Sequence, residues 1–99
     1  MLLGFVYIMT DKYKNVLYVG VTSNIKIRVK QHKEHFYKGS FADKNNCEYC
    51  VYYEPIHGLT NAIKREKQIK GGSRQKKINL INNVNPEWKD LWDEIAERW

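Results

Sequence analysis

Phe5-Val6-Tyr7-Ile8-Met9-Thr10-Asp11-Lys12-Tyr13-Lys14-Asn15-Val16-Leu17-Tyr18-Val19-Gly20 is the stretch on which the fold turns. Strand-forming residues lie on either side of a polar run of turn-formers. The segment therefore reads as an antiparallel hairpin whose side chains alternate between two faces. If Thr10 pairs with Asn15 across a four-residue loop, Tyr7 stands directly opposite Tyr18, with the Cβ atoms about 5 Å apart. Two phenols that close are either a packed aromatic pair or the floor of a site.

A chain of 99 residues with 42% hydrophobic content can build one core, so residues 1–99 are read as a single domain. No apolar run is long enough to span a membrane, and Met1-Leu2-Leu3 lacks the regions of a secretion signal. A cytoplasmic protein with no membrane partner is expected. Seventeen Lys and Arg against eleven Asp and Glu give a formal net charge of +6, which favours a polyanion through counterion release. Glu87, Asp90, Asp93, Glu94 and Glu97 all lie near the end of the sequence, so the rest is more basic than the total implies. Nucleic acid is the expected partner. Cys47 and Cys50 have the spacing of half a zinc site or of a redox pair, but no second Cys or His pair sits at a suitable distance. They are read as ordinary cysteines on opposite faces of a strand.

Beyond the hairpin, Thr22-Ser23-Asn24 offers helix N-caps, and Ile25, Val29, His32 and Phe36 recur at helical spacing, predicting a helix to about Tyr37. Gly39–Asn46 is polar and turn-rich. Cys47–Glu54 reads as a third strand ended by Pro55 and Gly58. Thr60 can cap a helix over Asn61–Lys70, stopped at Gly71-Gly72 by a left-handed residue, and Ser73 caps another to about Val84. Asn85-Pro86 then restarts the chain as an N-cap and first turn, with Trp88, Leu91, Trp92 and Ile95 on one face of a last helix that closes the core. The order is β-β-α-β-α-α-α, an α+β domain with a small antiparallel or mixed sheet and helices packed on it.

Glu66 is the anomaly of the second helix. The apolar stripe runs Leu59, Ala62, Ile63, Glu66 and Ile69, so a carboxylate stands where an apolar side chain is called for. Burying it unpaired would cost several kcal/mol, on the order of the desolvation of a charge, so a cation must be close. Either a neighbouring Lys or Arg or a divalent metal answers that need; Mg²⁺ can use one carboxylate and keep most of its waters. Arg28 and His32, four apart on the first helix, share a face at the border of the core, where they are either a solvated charge and a structural histidine or a pair suited to a phosphate. Lys70, Arg74, Lys76 and Lys77 bring positive charge to a helix N-terminus, which the helix dipole disfavours unless a phosphate binds there; a solvated basic face is the plainer alternative.

Taken in order, Val6-Tyr7, Tyr18-Val19-Gly20, Arg28 with His32, Glu66, and Asn85-Pro86 resemble the GIY-YIG nuclease family, above all its small stand-alone bacterial members, over nearly the whole chain. That resemblance implies a three-stranded sheet flanked by helices and a metal-dependent endonuclease hydrolysing nucleic-acid phosphodiesters, with DNA as the expected substrate and Mg²⁺ or Mn²⁺ as cofactor. By position, Tyr7 and Tyr18 match the motif tyrosines, Arg28 the helix arginine, His32 a position often held by histidine, and Glu66 the metal-binding glutamate. Gly20 matches the glycine closing the second motif, and Asn85 an asparagine near the site. The types suit in-line attack of water: Mg²⁺ on Glu66 as Lewis acid, Arg28 for the phosphate, and as base one of the tyrosines, Tyr18 narrowly before Tyr7, or His32. Phe5 replaces the first glycine and Val19 the isoleucine, while Val21 stands where several active relatives carry a lysine or another polar group. A nucleic-acid-binding module with weak or no turnover is the alternative reading.

Overall fold

The computed structural model describes residues 2–99. Three strands, β1 (Leu3–Thr10), β2 (Leu17–Thr22) and β3 (Tyr49–His57), form an antiparallel sheet in the order β2-β1-β3. Around it lie α1 (Ile25–Lys33), α2 (Phe41–Lys44), α3 (Leu59–Lys70), α4 (Arg74–Val84) and α5 (Trp92–Arg98). This is the expected α+β arrangement, with one added turn of helix, α2, in the polar segment. Ser40 caps that turn by accepting from Asp43 N at 3.2 Å.

Because side chains alternate, the sheet has two buried faces. Phe5, Tyr7 and Met9 of β1 face Ile25 and Val29 of α1, Ala42 and Ile95. Val6 and Ile8 face the other way, with Val19 and Val51, onto Ala62 and Ile69 of α3 and Ile81 of α4. A Cβ on Gly4 would lie 2.5 Å from Ala62 Cβ, so the bare backbone at that position is what lets α3 settle against β1.

The hairpin register differs from the expected one. Tyr7 pairs with Gly20, and Tyr18 with Met9, across a loop of Asp11–Val16. Asp11 accounts for the longer loop, since its Oδ1 accepts from Asn15 N and Val16 N, both at 2.8 Å, and draws those residues out of the ladder. The slip is by two residues, so both tyrosines keep the same face.

Other expectations are corrected for local reasons. Helix α1 stops at Lys33 because His35 takes φ 54°, which leaves Phe36 outside the helix and 60% exposed. Pro55 continues β3, as it can on an edge strand. Cys47 precedes β3 and packs with Cys50 in one core, not on opposite faces; the ladder is irregular at that end, where Ile8 pairs with Tyr52 but Met9 with Cys50. Gly71 ends α3 at φ −76°, with no left-handed residue, while Lys77 Nζ donates to Gly72 O at 2.8 Å. Asn85-Pro86 starts no helix. Trp88, at φ 55°, packs on the α3 and α4 face, whereas Leu91, Trp92 and Ile95 close the α1 face.

The segment from Asn85 onward works as a seal. Asn85 Nδ2 donates to Val51 O at 3.0 Å and Lys89 O at 2.9 Å, and its Oδ1 accepts from Lys89 N at 3.1 Å. Leu91 N donates to Cys50 O at 2.8 Å, Asp90 Oδ1 accepts from Cys50 N at 3.1 Å, and the other Asp90 oxygen pairs with Lys33. The Cys50 N–H and the Cys50 and Val51 carbonyls on the open side of β3 are thereby satisfied.

Candidate active site

The hairpin and the first helix together assemble the polar centre. Gly20 has no side chain, and that space is taken by the Tyr7 ring: a Cβ there would lie 2.4 Å from Tyr7 Cζ and from its hydroxyl. Tyr7 thus lies over β2, fully buried, with its hydroxyl 2.9 Å from His32 Nε2. Asn24 caps α1 by accepting from Ile27 N at 3.1 Å, which sets the helix phase that brings Arg28 and His32 to this face. Both are partly buried, at the border the sequence predicts.

The ring centroids of Tyr18 lie 6.4 Å from Tyr7 and 5.4 Å from His32. The two phenols are therefore diagonal neighbours bridged by an imidazole. Their environments differ. Burial, then the neighbouring Tyr18, pushes the Tyr7 phenol well above its ordinary value despite the opposing Arg28 charge. Burial, and then the Arg28 cation, holds His32 down at about 4, so the imidazole is neutral near pH 7. The protonated phenol then donates and the neutral Nε2 accepts. Tyr18, partly buried, is the phenol with a path to solvent.

Glu66 approaches from the other side of the sheet edge. Helix α3 packs on β1 and β2, and β2 is an edge strand. The Glu66 side chain is 13% exposed, with Lys70 Nζ 3.2 Å from Oε2. Lys70 Nζ also lies 6.0 Å from the centroid of the Tyr18 ring, so the ammonium bridges the carboxylate to the phenol. The i,i+4 spacing of Glu66 and Lys70 is the sequence signal for that ion pair. Phe41, stacked on Tyr18 at 6.3 Å, carries no such signal because it lies in the polar turn segment.

Glu66 is a single carboxylate donor; no group of three His, Cys, Asp or Glu able to hold a metal occurs among the described residues. A largely shielded carboxylate that already attracts a cation fits a hard ion taking its other oxygens from water and substrate. The remaining site residues lie elsewhere. Asn85 directs its side-chain bonds to the backbone of Val51 and Lys89. Arg74 donates to Lys14 O at 3.3 Å, and Lys77 to Gly72 O. Lys76 and Lys77 line a cleft of about 770 Å³ between α3 and α4 that includes none of Tyr7, Tyr18, Arg28, His32 or Glu66. Both cysteines are buried and free, Cys47 pushed up to about 11 and Cys50 to about 12 by burial, so neither offers a thiolate near pH 7.

With this geometry in view, the GIY-YIG catalytic domain family matches residues 3–79. A UPF0213 protein of Syntrophus aciditrophicus (strain SB) is 36% identical over 84 residues, covering 85% of this chain and 94% of the relative. Another, from Staphylococcus haemolyticus (strain JCSC1435), is 35% identical over 78 residues, covering 78% of this chain and 92% of the relative. In fold, the chain is similar to the solution NMR structure of a UPF0213 protein from Bacillus halodurans, with a TM-score of 0.54 and 22% identity over 89% of this chain and 92% of that one.

Proposed function

The chain belongs to the GIY-YIG family, a family of nucleases, and from that premise we propose that it is an endonuclease hydrolysing DNA phosphodiester bonds with a divalent metal at Glu66. The observation that carries the reading is the grouping of Tyr7, Tyr18 and His32 with Arg28 beside them, and the Lys70 ammonium that lies near both Tyr18 and the Glu66 carboxylate. When bound, Mg²⁺ or Mn²⁺ supplies a Lewis acid for the phosphoryl or leaving oxygen.

The chain's own groups divide the rest of the work. Arg28 neutralises the phosphate and offers it a bidentate fork. Burial, with the Arg28 charge adding to it, keeps His32 neutral, and neutral His32 fixes the Tyr7 hydroxyl as a donor. Tyr7 thereby positions and keeps its proton. Tyr18 is the base: as phenolate it takes a proton from the attacking water. A free phenol titrates near 10, and the cation beside Tyr18 is Lys70, its ammonium 6.0 Å from the ring centroid.

The test compares wild type with Glu66→Ala and Tyr18→Phe on plasmid, branched and single-stranded DNA, with Mg²⁺ or EDTA. Loss of the base should slow cleavage by roughly 10²- to 10⁴-fold. Cleavage that survives Glu66→Ala would overturn the metal assignment, and binding without any cleavage by wild type would move the chain to the binding-module reading.

A further inference from the structure

Three aromatic side chains between α1 and the start of α2 stand in solvent: Phe36 is 60% exposed, Tyr37 49% and Phe41 56%. Exposed single rings are ordinary, but a cluster this close in sequence needs a reason. The segment carrying them is held firmly. His35 adopts φ 54°, uncommon for a residue with a side chain, and its imidazole is gripped on both sides, Nδ1 at 2.7 Å from Asp43 Oδ1 and Nε2 against the Glu48 carboxylate. Phe36 N donates to Gln31 O at 2.9 Å, and Gly39 N to Asp43 Oδ2 at 2.7 Å. A left-handed backbone and a doubly bound imidazole persist only where the surroundings over-determine the shape. Here the shape they maintain leaves all three rings substantially exposed.

Two separate contacts tie these rings to the candidate site. Phe41 stacks on Tyr18 with an interplanar angle of 26°, Tyr37 lies 5.9 Å from the Arg28 guanidinium, and Phe36 meets Tyr37 edge-on at 4.9 Å. A base inside a duplex already has both faces stacked and gains nothing from such rings. An unpaired base has free faces, and stacking on an aromatic side chain stabilises it whatever its sequence. The cation beside the rings, Arg28, and the exposed Lys38 complement a phosphate backbone better than a neutral protein surface.

We propose that Phe36, Tyr37 and Phe41 form a stacking shelf for unpaired nucleobases next to the phosphate held at Arg28. The position of that phosphate rests on the nuclease reading. The shelf selects single-stranded segments, flaps or bulges over continuous duplex.

Fluorescence anisotropy in EDTA, which stops metal-dependent cleavage, tests the shelf with short labelled single strands, the same strands made abasic, and hairpin duplexes, each as DNA and as RNA. Wild type should bind ordinary strands about tenfold more tightly than abasic ones, in DNA, RNA or both. Tyr37→Leu with Phe41→Leu should abolish that preference and leave duplex affinity within about twofold, because backbone charge is untouched. Phe41→Trp should retain it, with quenching of the new indole when a base stacks. Equal binding of ordinary and abasic strands by wild type, in both DNA and RNA, overturns the proposal even if the double variant fails to fold. So does an equal loss on duplex, or a concentration-dependent dimer by light scattering that the substitutions dissolve. Cleavage in Mg²⁺ is read separately: base-dependent binding with no cleavage of these strands or of the plasmid and branched DNA sinks the nuclease reading alone, and cleavage without base dependence sinks the shelf alone.

Discussion

Gly20 illustrates how much one hydrogen in place of a methyl can decide. Gly20→Ala would put its Cβ 2.4 Å from the Tyr7 hydroxyl and Cζ, where the ring must move and leave His32. Overpacking of this kind typically costs about 1–3 kcal/mol. A lower urea midpoint together with cleavage reduced more than tenfold, on the order of losing one catalytic group, is expected; unchanged cleavage would mean that the Tyr7 contact with His32 is dispensable. The two histidines make a second pair of opposites. His32, held down at about 4, should appear neutral in an NMR titration at pH 6, while His35, raised first by its bond to Glu48 and then to Asp43, should still be charged above its ordinary value. Their effects on stability carry opposite signs. As pH falls from 6.5 toward about 4, the unfolded chain takes up a proton that folded His32 refuses, so stability drops. The His35 contribution is complete below 6.5 and is lost as pH rises through its raised folded value. A urea midpoint followed across pH checks both. At this scale the sequence disclosed which residues carry charge and which face the tyrosines share, because a slip of two preserves parity. It could not disclose His35, since nothing local marks a left-handed histidine whose two partners are Asp43 and Glu48.

Among the elements, α4 and the strands were legible where a local rule acts alone, whereas α3 starts at Leu59 behind Gly58 at φ 85° with no side-chain cap, so Thr60 lies inside the helix and does not cap it. Ser73 is an N-cap, its Oγ accepting from Lys76 N at 3.2 Å, and β-branched and aromatic residues do form β3. Reading failed where tertiary contacts overrule the local pattern. The spacing of Trp88 with Leu91, Trp92 and Ile95 suggests one helical face, yet a positive φ at Trp88 sends it to the opposite core. Asn85 holds that crossing together. Asn85→Ala would strip hydrogen bonds from Val51 O, Lys89 O and Lys89 N, at roughly 1–3 kcal/mol for each group left buried and unsatisfied. A fall in thermal midpoint is expected, with cleavage per folded molecule largely retained. Activity lost without a loss of stability would instead return Asn85 to the reacting centre.

For the molecule as a whole, the α+β class and the basic balance followed from composition and element order, and the position of the site at the sheet edge did not. Tyr18 packs against one face and Glu66 belongs to a helix covering the other; at the β2 edge the Lys70 ammonium lies near both, 3.2 Å from the Glu66 carboxylate and 6.0 Å from the Tyr18 centroid. The seal over β3 has a consequence in time. During synthesis β3 emerges well before Asp90 and Leu91, a delay of about 2–7 s at roughly 5–20 residues per second. For that interval the nascent chain presents the uncapped rim of Cys50-Val51 to any neighbouring strand in the cell. Slow codons between β3 and Asp90 should therefore raise misassembly without altering a single residue.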